Sequence, residues 1–229
     1  MKRILSISEL EKSPWKSMLV EALGSNLISI FLHGKSLLPN FNPFKEDWEI
    51  SFILKENNVS DIEPLQGLLK KANKAGLCFA LFFTPKDLLN ATDSFPLEFL
   101  HIANKNHLLY GEPILKDFVV DLKELRLQCE RELRGRLIQI HQYFLYSKQG
   151  KTPMDFFIEA NKELLPLFYG VFYLDHKRYP NDHEEVYQAH PFLRIEEPTA
   201  NAELLQKRIH NYILELSRAV EYIDSMEVS

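Results

Sequence analysis

Leu27-Ile-Ser-Ile-Phe-Leu-His-Gly-Lys-Ser36 and, after a connection rich in Pro and Asn, Glu46-Asp-Trp-Glu-Ile-Ser-Phe-Ile-Leu54 decide how this chain folds. Leu27 to Leu32 is a short, nearly unbroken apolar run, the pattern of a buried strand. Trp48 to Leu54 is a second strand, turning at Asn57-Asn58. Asp47 and Glu49 alternate with Trp48 and Ile50, so in an extended segment both carboxylates point to one face, with Cα atoms about 7 Å apart. Paired carboxylates beside a loop are a natural seat for Mg²⁺, which takes hard oxygen ligands and leaves room for phosphate oxygens. Gly34, at the end of the first strand, lets backbone amides approach a triphosphate, with Lys35 or Ser36 to contact it. The plainer alternatives are that acid–apolar–acid is simply the solvated face of a half-buried strand, and that Lys35 is a surface lysine in a turn.

Outward from this stretch the chain has two grammars. Glu9 to Leu23 reads as a helix stopped by Gly24, Asp61 to Ala75 as a helix stopped by Gly76, and Leu77 to Phe83 as a third strand ending near Pro85. Alternation of strand and helix predicts an α/β layer around a sheet. Beyond about residue 120 the period becomes helical. Asp121-Leu-Lys-Glu124 has the form of a capping box. Leu122, Leu125, Cys129, Leu133, Leu137, Ile140 and Phe144 follow as one apolar stripe. Thr152-Pro153 opens a second helix, with a stripe that includes Phe157, Leu164, Phe168, Val171 and Phe172. A shorter helix is expected from about Asn181 to His190, before Pro191, and a last one carries Leu205, Ile209, Tyr212, Leu216, Val220 and Ile223. The expectation is an α+β chain: an α/β-layered domain with a mixed sheet over residues 1–118, and an antiparallel helical bundle over 119–229.

Composition narrows the partners. Of 229 residues, 45% are hydrophobic and 26% charged, with 27 Lys+Arg against 32 Asp+Glu and a net charge of −5. That balance argues against a surface that holds duplex nucleic acid. Glu9 interrupts the apolar stretch after Lys2-Arg3, so no signal peptide is expected. The longest strongly apolar run, Leu77 to Phe83, is far too short to span a bilayer. Cys78 and Cys129 lie in apolar stretches and read as reduced core residues. A cytoplasmic protein without membrane contact is the expectation.

Other motifs point away from competing chemistries. Gly34-Lys35-Ser36 mimics the end of a P-loop, but Ser29 stands where the required upstream glycine would be. No Gly-x-Ser-x-Gly elbow and no suggestive Cys/His pair occurs. His176, His183 and His190 recur every seven residues yet straddle Pro180, so one helix cannot present all three; they read as surface or cap histidines. Glu130 and Arg134 have the spacing of a helix-surface ion pair. The Phe and Tyr residues of 156–173 fall mostly on helical core positions.

Leu32-His-Gly-Lys35, eleven further residues and Asp47-Trp-Glu-Ile50 resemble the signature of the nucleotidyltransferase superfamily of the DNA polymerase beta type, in particular its small bacterial branch of minimal and kanamycin nucleotidyltransferases. Leu108-Leu-Tyr-Gly-Glu112, followed by Leu125 to Gly135, resembles two-domain bacterial members. The resemblance implies Mg²⁺-dependent transfer of a nucleoside monophosphate from an NTP to an acceptor hydroxyl. Asp47 and Glu49 would be metal ligands, Gly34, Lys35 and Ser36 would bind nucleotide, and Glu98 or Glu130 would be the base. This chain departs from the pattern in three ways. Lys35 stands where Gly or Ser is usual, Glu49 is longer than the usual Asp, and the strand Leu77 to Phe83 carries no acid to serve as third carboxylate. The alternative is therefore a catalytically inactive binding or regulatory module on the same fold. Exposed bundle faces commonly pair, which makes a homodimer a candidate assembly.

Overall fold

The computed structural model describes residues 2–38, 41–146, 153–194 and 201–227. It begins with α1 (Ile7–Lys12) and α2 (Trp15–Leu23), where the sequence pattern predicts one helix. The break has a local cause: Ser13 bonds back to the Leu10 carbonyl, and Pro14, which has no N–H to donate, begins the next helix. β1 (Leu27–His33) runs into a 3₁₀ turn over Gly34–Leu37, and β2 (Trp48–Leu54) returns antiparallel to it. The helix expected over 61–75 is also interrupted. α3 (Val59–Ile62) gives way to a 3₁₀ turn containing Pro64 before α4 (Gln66–Ala75).

β3 (Leu77–Phe83) pairs parallel with β2, as a strand–helix–strand crossover requires. α5 (Pro85–Asn90) is capped by Thr84, whose side chain accepts from the Asp87 N–H. α6 (Pro96–Asn104) precedes β4 (Asn106–Gly111), a strand the apolar pattern does not predict because its side chains are half-exposed. The sheet order is β3-β2-β1-β4, a mixed sheet with one parallel pair, and the class is α+β. β4 closes on β1 through Gly111 (φ +86°), where a β-carbon would strike the Ile28 carbonyl oxygen.

The helical part comprises α7 (Leu122–Tyr146), α8 (Pro153–His176), α9 (His183–Ala189) and α10 (Ala202–Asp224). The Asp121 carboxylate caps α7 by accepting from the Lys123 and Glu124 N–H groups. Leu125, Cys129, Leu133 and Ile140 of its predicted stripe are buried, and α7 packs on both α8 and α10. Thr152 and the side chains of Phe144 and Phe157 lie outside the described residues.

Chain contacts divide the molecule into two compact units. The first is Met1–Thr92 with Glu98–Val119; the second is Asp93–Leu97 with Val120–Ser229. In the first, α1, α2 and α4 cover one sheet face, burying Trp15, Leu19, Ile30, Leu32, Ile50 and Phe52. The opposite face carries Ser29, Phe31, His33, Glu49, Ser51 and Ile53, and Phe99 of α6 packs on Phe83 at its edge, ring centroids 5.3 Å apart. Cys129 is buried, but Cys78 is exposed on edge strand β3 and is not the core residue expected. No described helix is long and apolar enough to cross a membrane.

Candidate functional site

Gly34 turns the chain out of β1 at φ +64°, and the Glu49 carboxylate lies against its α-carbon, where an added β-carbon would collide with Glu49 Oε2. Ser36 is buried, and its Oγ accepts the Glu49 N–H at 2.8 Å. The serine thus ties the turn to β2. Lys35 is exposed, with Nζ 4.0 Å from Glu49 Oε1. Partial burial pushes the Glu49 carboxyl above its ordinary range, opposed by the Lys35 ammonium and reinforced by neighbouring Glu46.

Asp47 stands at the start of β2, immediately ahead of Trp48, the strand's first residue. Its Oδ1 accepts from Arg3 Nη2 at 2.9 Å, and 47% of its side chain is exposed. The same guanidinium donates to the carbonyls of Glu46 (2.6 Å) and Pro43 (2.5 Å) and lies where a β-carbon on Gly76 would strike it. Arg3 is held there through its neighbour Ile4, which is hydrogen-bonded to the end of α4 and to Trp48 of β2. The Ile4 N–H donates to the Ala75 carbonyl and the Trp48 indole N–H to the Ile4 carbonyl. Sequence reading missed Arg3, since nothing in its spacing links it to an aspartate 44 residues on.

His33, one residue before Gly34, is the other group it missed. Its Nε2 lies 2.8 Å from Ser51 Oγ, which also accepts the Leu81 N–H, so β1, β2 and β3 are joined beneath the turn. Burial holds the His33 imidazole below its ordinary range.

The remaining candidates have local settings of their own. Glu98 is exposed in the first turn of α6. Glu130, on α7, is gripped by Arg126 (3.2 Å) and Arg134 (2.8 Å), the helix-face ion pair its spacing predicts. Among the described residues, no third His, Cys, Asp or Glu converges with Asp47 and Glu49; the one such triad is Asp175, His176 and His190. A cavity of about 390 Å³ opens in the first unit between Ser29, Phe31, Ile53, Asn106 and Leu115, and the Gly34 turn does not line it.

No family model and no curated protein matches the chain. Solved structures do match it. One is a spectinomycin adenyltransferase from Enterococcus faecialis, crystallised with ATP and spectinomycin: 14% identity, 91% of this chain and 99% of that one covered, TM-score 0.48. Another is a nucleotidyltransferase-like protein from Exiguobacterium sibiricum, at 12% identity, 93% and 75% coverage and a TM-score of 0.36.

Proposed function

We propose that the chain binds a nucleoside triphosphate with Mg²⁺ at the turn between β1 and β2 and transfers the nucleoside monophosphate to an acceptor hydroxyl. The observation that carries this reading is the contact between the Glu49 carboxylate and the α-carbon of Gly34, with Lys35 alongside. It sets an anionic metal ligand against a positive-φ turn whose amides suit phosphate oxygens. Asp47 and Glu49 are hard donors that fit Mg²⁺, which when bound neutralises phosphate charge. Lys35 supplies a mobile cation for the departing pyrophosphate. In the reaction the acceptor oxygen bonds to the α-phosphorus, the bond to the β-phosphate bridging oxygen breaks, and the hydroxyl proton passes to a base or solvent.

A second reading, a binding module without turnover, is favoured by the Arg3–Asp47 ion pair, which already engages one of the two metal ligands. Titration with ATP, GTP, CTP and UTP, each in Mg²⁺ and in EDTA, tests both readings. Metal-dependent binding weakened at least tenfold by Glu49→Gln is expected. No metal-dependent binding to any of the four removes the transfer reading. Transfer from an α-phosphate-labelled NTP that is equal in wild type and Asp47→Ala removes Asp47 from the site.

A further inference from the structure

The corner where α8 ends and α9 stops gathers three groups that the nucleotide site does not use. α8 ends on Asp175-His176, and Lys177 then takes a left-handed conformation (φ +55°) rarely seen outside glycine, which reverses the chain. The return loop is pinned. Glu185 pairs with Arg178 and accepts from the Asn181 N–H, while Asp182 caps α9. α9 ends at Ala189, and His190, the residue before Pro191, is its C-cap. Two histidines fourteen positions apart, on either side of Pro180, are thereby brought together with ring centroids 5.7 Å apart.

The corner gathers donor atoms of the types that ligate metals. Asp175 Oδ2 lies 3.6 Å from His190 Nε2 and 3.8 Å from His176 Nδ1, and one ligand atom from each residue falls within 4.8 Å of the other two. Ligands 2.0–2.2 Å from a tetrahedral ion stand about 3.3 Å apart, so small rotations close the set. His190 Nε2 is the independent sign. The residue is only 4% exposed, yet this buried nitrogen has no hydrogen-bond partner, and 3.6 Å to a carboxylate is too long for one.

The surroundings hold the groups in place. Phe172 stacks on the His176 ring at 4.1 Å and 5°, and Phe192 and Tyr222 flank His190. The Tyr222 hydroxyl donates to Asp175 Oδ2 at 3.1 Å, an outer partner of the kind that orients a ligating carboxylate. His176 Nδ1 is also 3.2 Å from the Phe172 carbonyl; ligation uses the tautomer protonated at Nε2. Asp175 and His176 are exposed, so an ion reaches the site from solvent.

We propose that Asp175, His176 and His190 bind a divalent transition-metal ion of the Zn²⁺ type, with two imidazoles and one carboxylate as ligands and the remaining position open to water. Two nitrogens and one oxygen favour such an ion over Mg²⁺ or Ca²⁺, which take oxygen sets. Binding joins the ends of α8 and α9 and stabilises the fold by mass action. It is independent of the nucleotide reading.

The test uses the untagged full chain on a Cys78→Ser background, which removes the exposed thiol, titrated with Co²⁺ and with Zn²⁺. One equivalent is expected to bind, with the visible bands of low-symmetry Co²⁺ and a rise in Tm with Zn²⁺. Asp175→Asn and His176→Ala, both exposed positions that leave the core intact, are each expected to weaken binding at least tenfold, whereas His183→Ala leaves it unchanged. Absence of saturable binding, persistence of full affinity in both ligand variants, or loss of binding in His183→Ala overturns the assignment.

Discussion

The turn between β1 and β2 and the corner between α8 and α9 are both places where carboxylates meet nitrogen bases, and they balance their charge differently. At the turn, each acid has a permanent cation from the chain itself: Arg3 on Asp47, Lys35 near Glu49. At the corner, Asp175 faces two imidazoles and a tyrosine hydroxyl, and one imidazole nitrogen is buried without a partner. An internal cation competes with any ion the first site is to hold. In the second, ligand atoms converge on a space that no fixed cation occupies. On the two proposed readings, binding has to open the first site and completes the second.

The largest expected effect breaks the comparison from the corner's side. Phe172 is buried and stacked on His176, so Phe172→Ala opens a cavity and frees the ring it orients. A loss of about 3–5 kcal/mol is expected in urea denaturation, and Co²⁺ binding should fall with it. Unchanged Co²⁺ affinity in the folded variant would mean that the ring stack plays no part in holding the ligand.

At the turn, the matching substitution is Gly34→Ala. Its added β-carbon meets only the movable end of Glu49, so the cost is mainly the positive φ, about 1–2 kcal/mol. Gly111→Ala is the calibrating control, because there the obstacle is the Ile28 carbonyl, which cannot swing away; it should destabilise more. Gly34→Ala is also expected to displace the Glu49 carboxylate and so weaken Mg²⁺-dependent nucleotide binding.

Arg3→Ala sharpens the contrast directly. The Asp47 pair is half in solvent and weak by itself, but Arg3 also donates to two carbonyls, so a loss of about 1–2 kcal/mol is expected. If Arg3 competes with metal for Asp47, Mg²⁺-dependent nucleotide affinity rises several-fold in the variant. A fall would instead make Arg3 a positioning residue for Asp47.

What the sequence disclosed follows the same divide between local and long-range contacts. The spans of β2 and β3 and the apolar stripe of α7 were readable because period and stop signals lie within a few residues. The contact between Glu49 and Gly34 was not predicted; only the family resemblance grouped the two residues, across the 14 residues between β1 and β2. Prolines at 14 and 64 divide helices that periodicity alone runs together, and β4 lacks a clear pattern because its side chains are half-exposed. The Arg3–Asp47 pair and the His176–His190 approach were not readable. Each depends on a chain reversal whose direction only packing decides, and the seven-residue histidine spacing pointed to His183, which pairs with Glu184 outside the triad.

The smallest effect concerns pH, and it separates the two titrating neighbours at the turn. His33 has a folded-state pKa below its ordinary 6.5, so the unfolded chain takes up the proton more readily. Its contribution to stability is complete above pH 6.5 and is lost as pH falls through that value. Glu49 has a folded-state pKa above its ordinary 4.5, so the fold favours its protonated form. Stability from that source is greatest in acid and is lost as pH rises above 4.5. Urea-unfolding free energies between about pH 5 and pH 8 should therefore respond in opposite senses. His33→Gln, which keeps a partner for Ser51, reduces the loss on the acid side, and Glu49→Gln reduces the loss on the neutral side. Parallel curves for wild type and both variants would mean that neither group senses burial at the turn, and the electrostatic contrast with the α8–α9 corner would then rest on ion pairs alone.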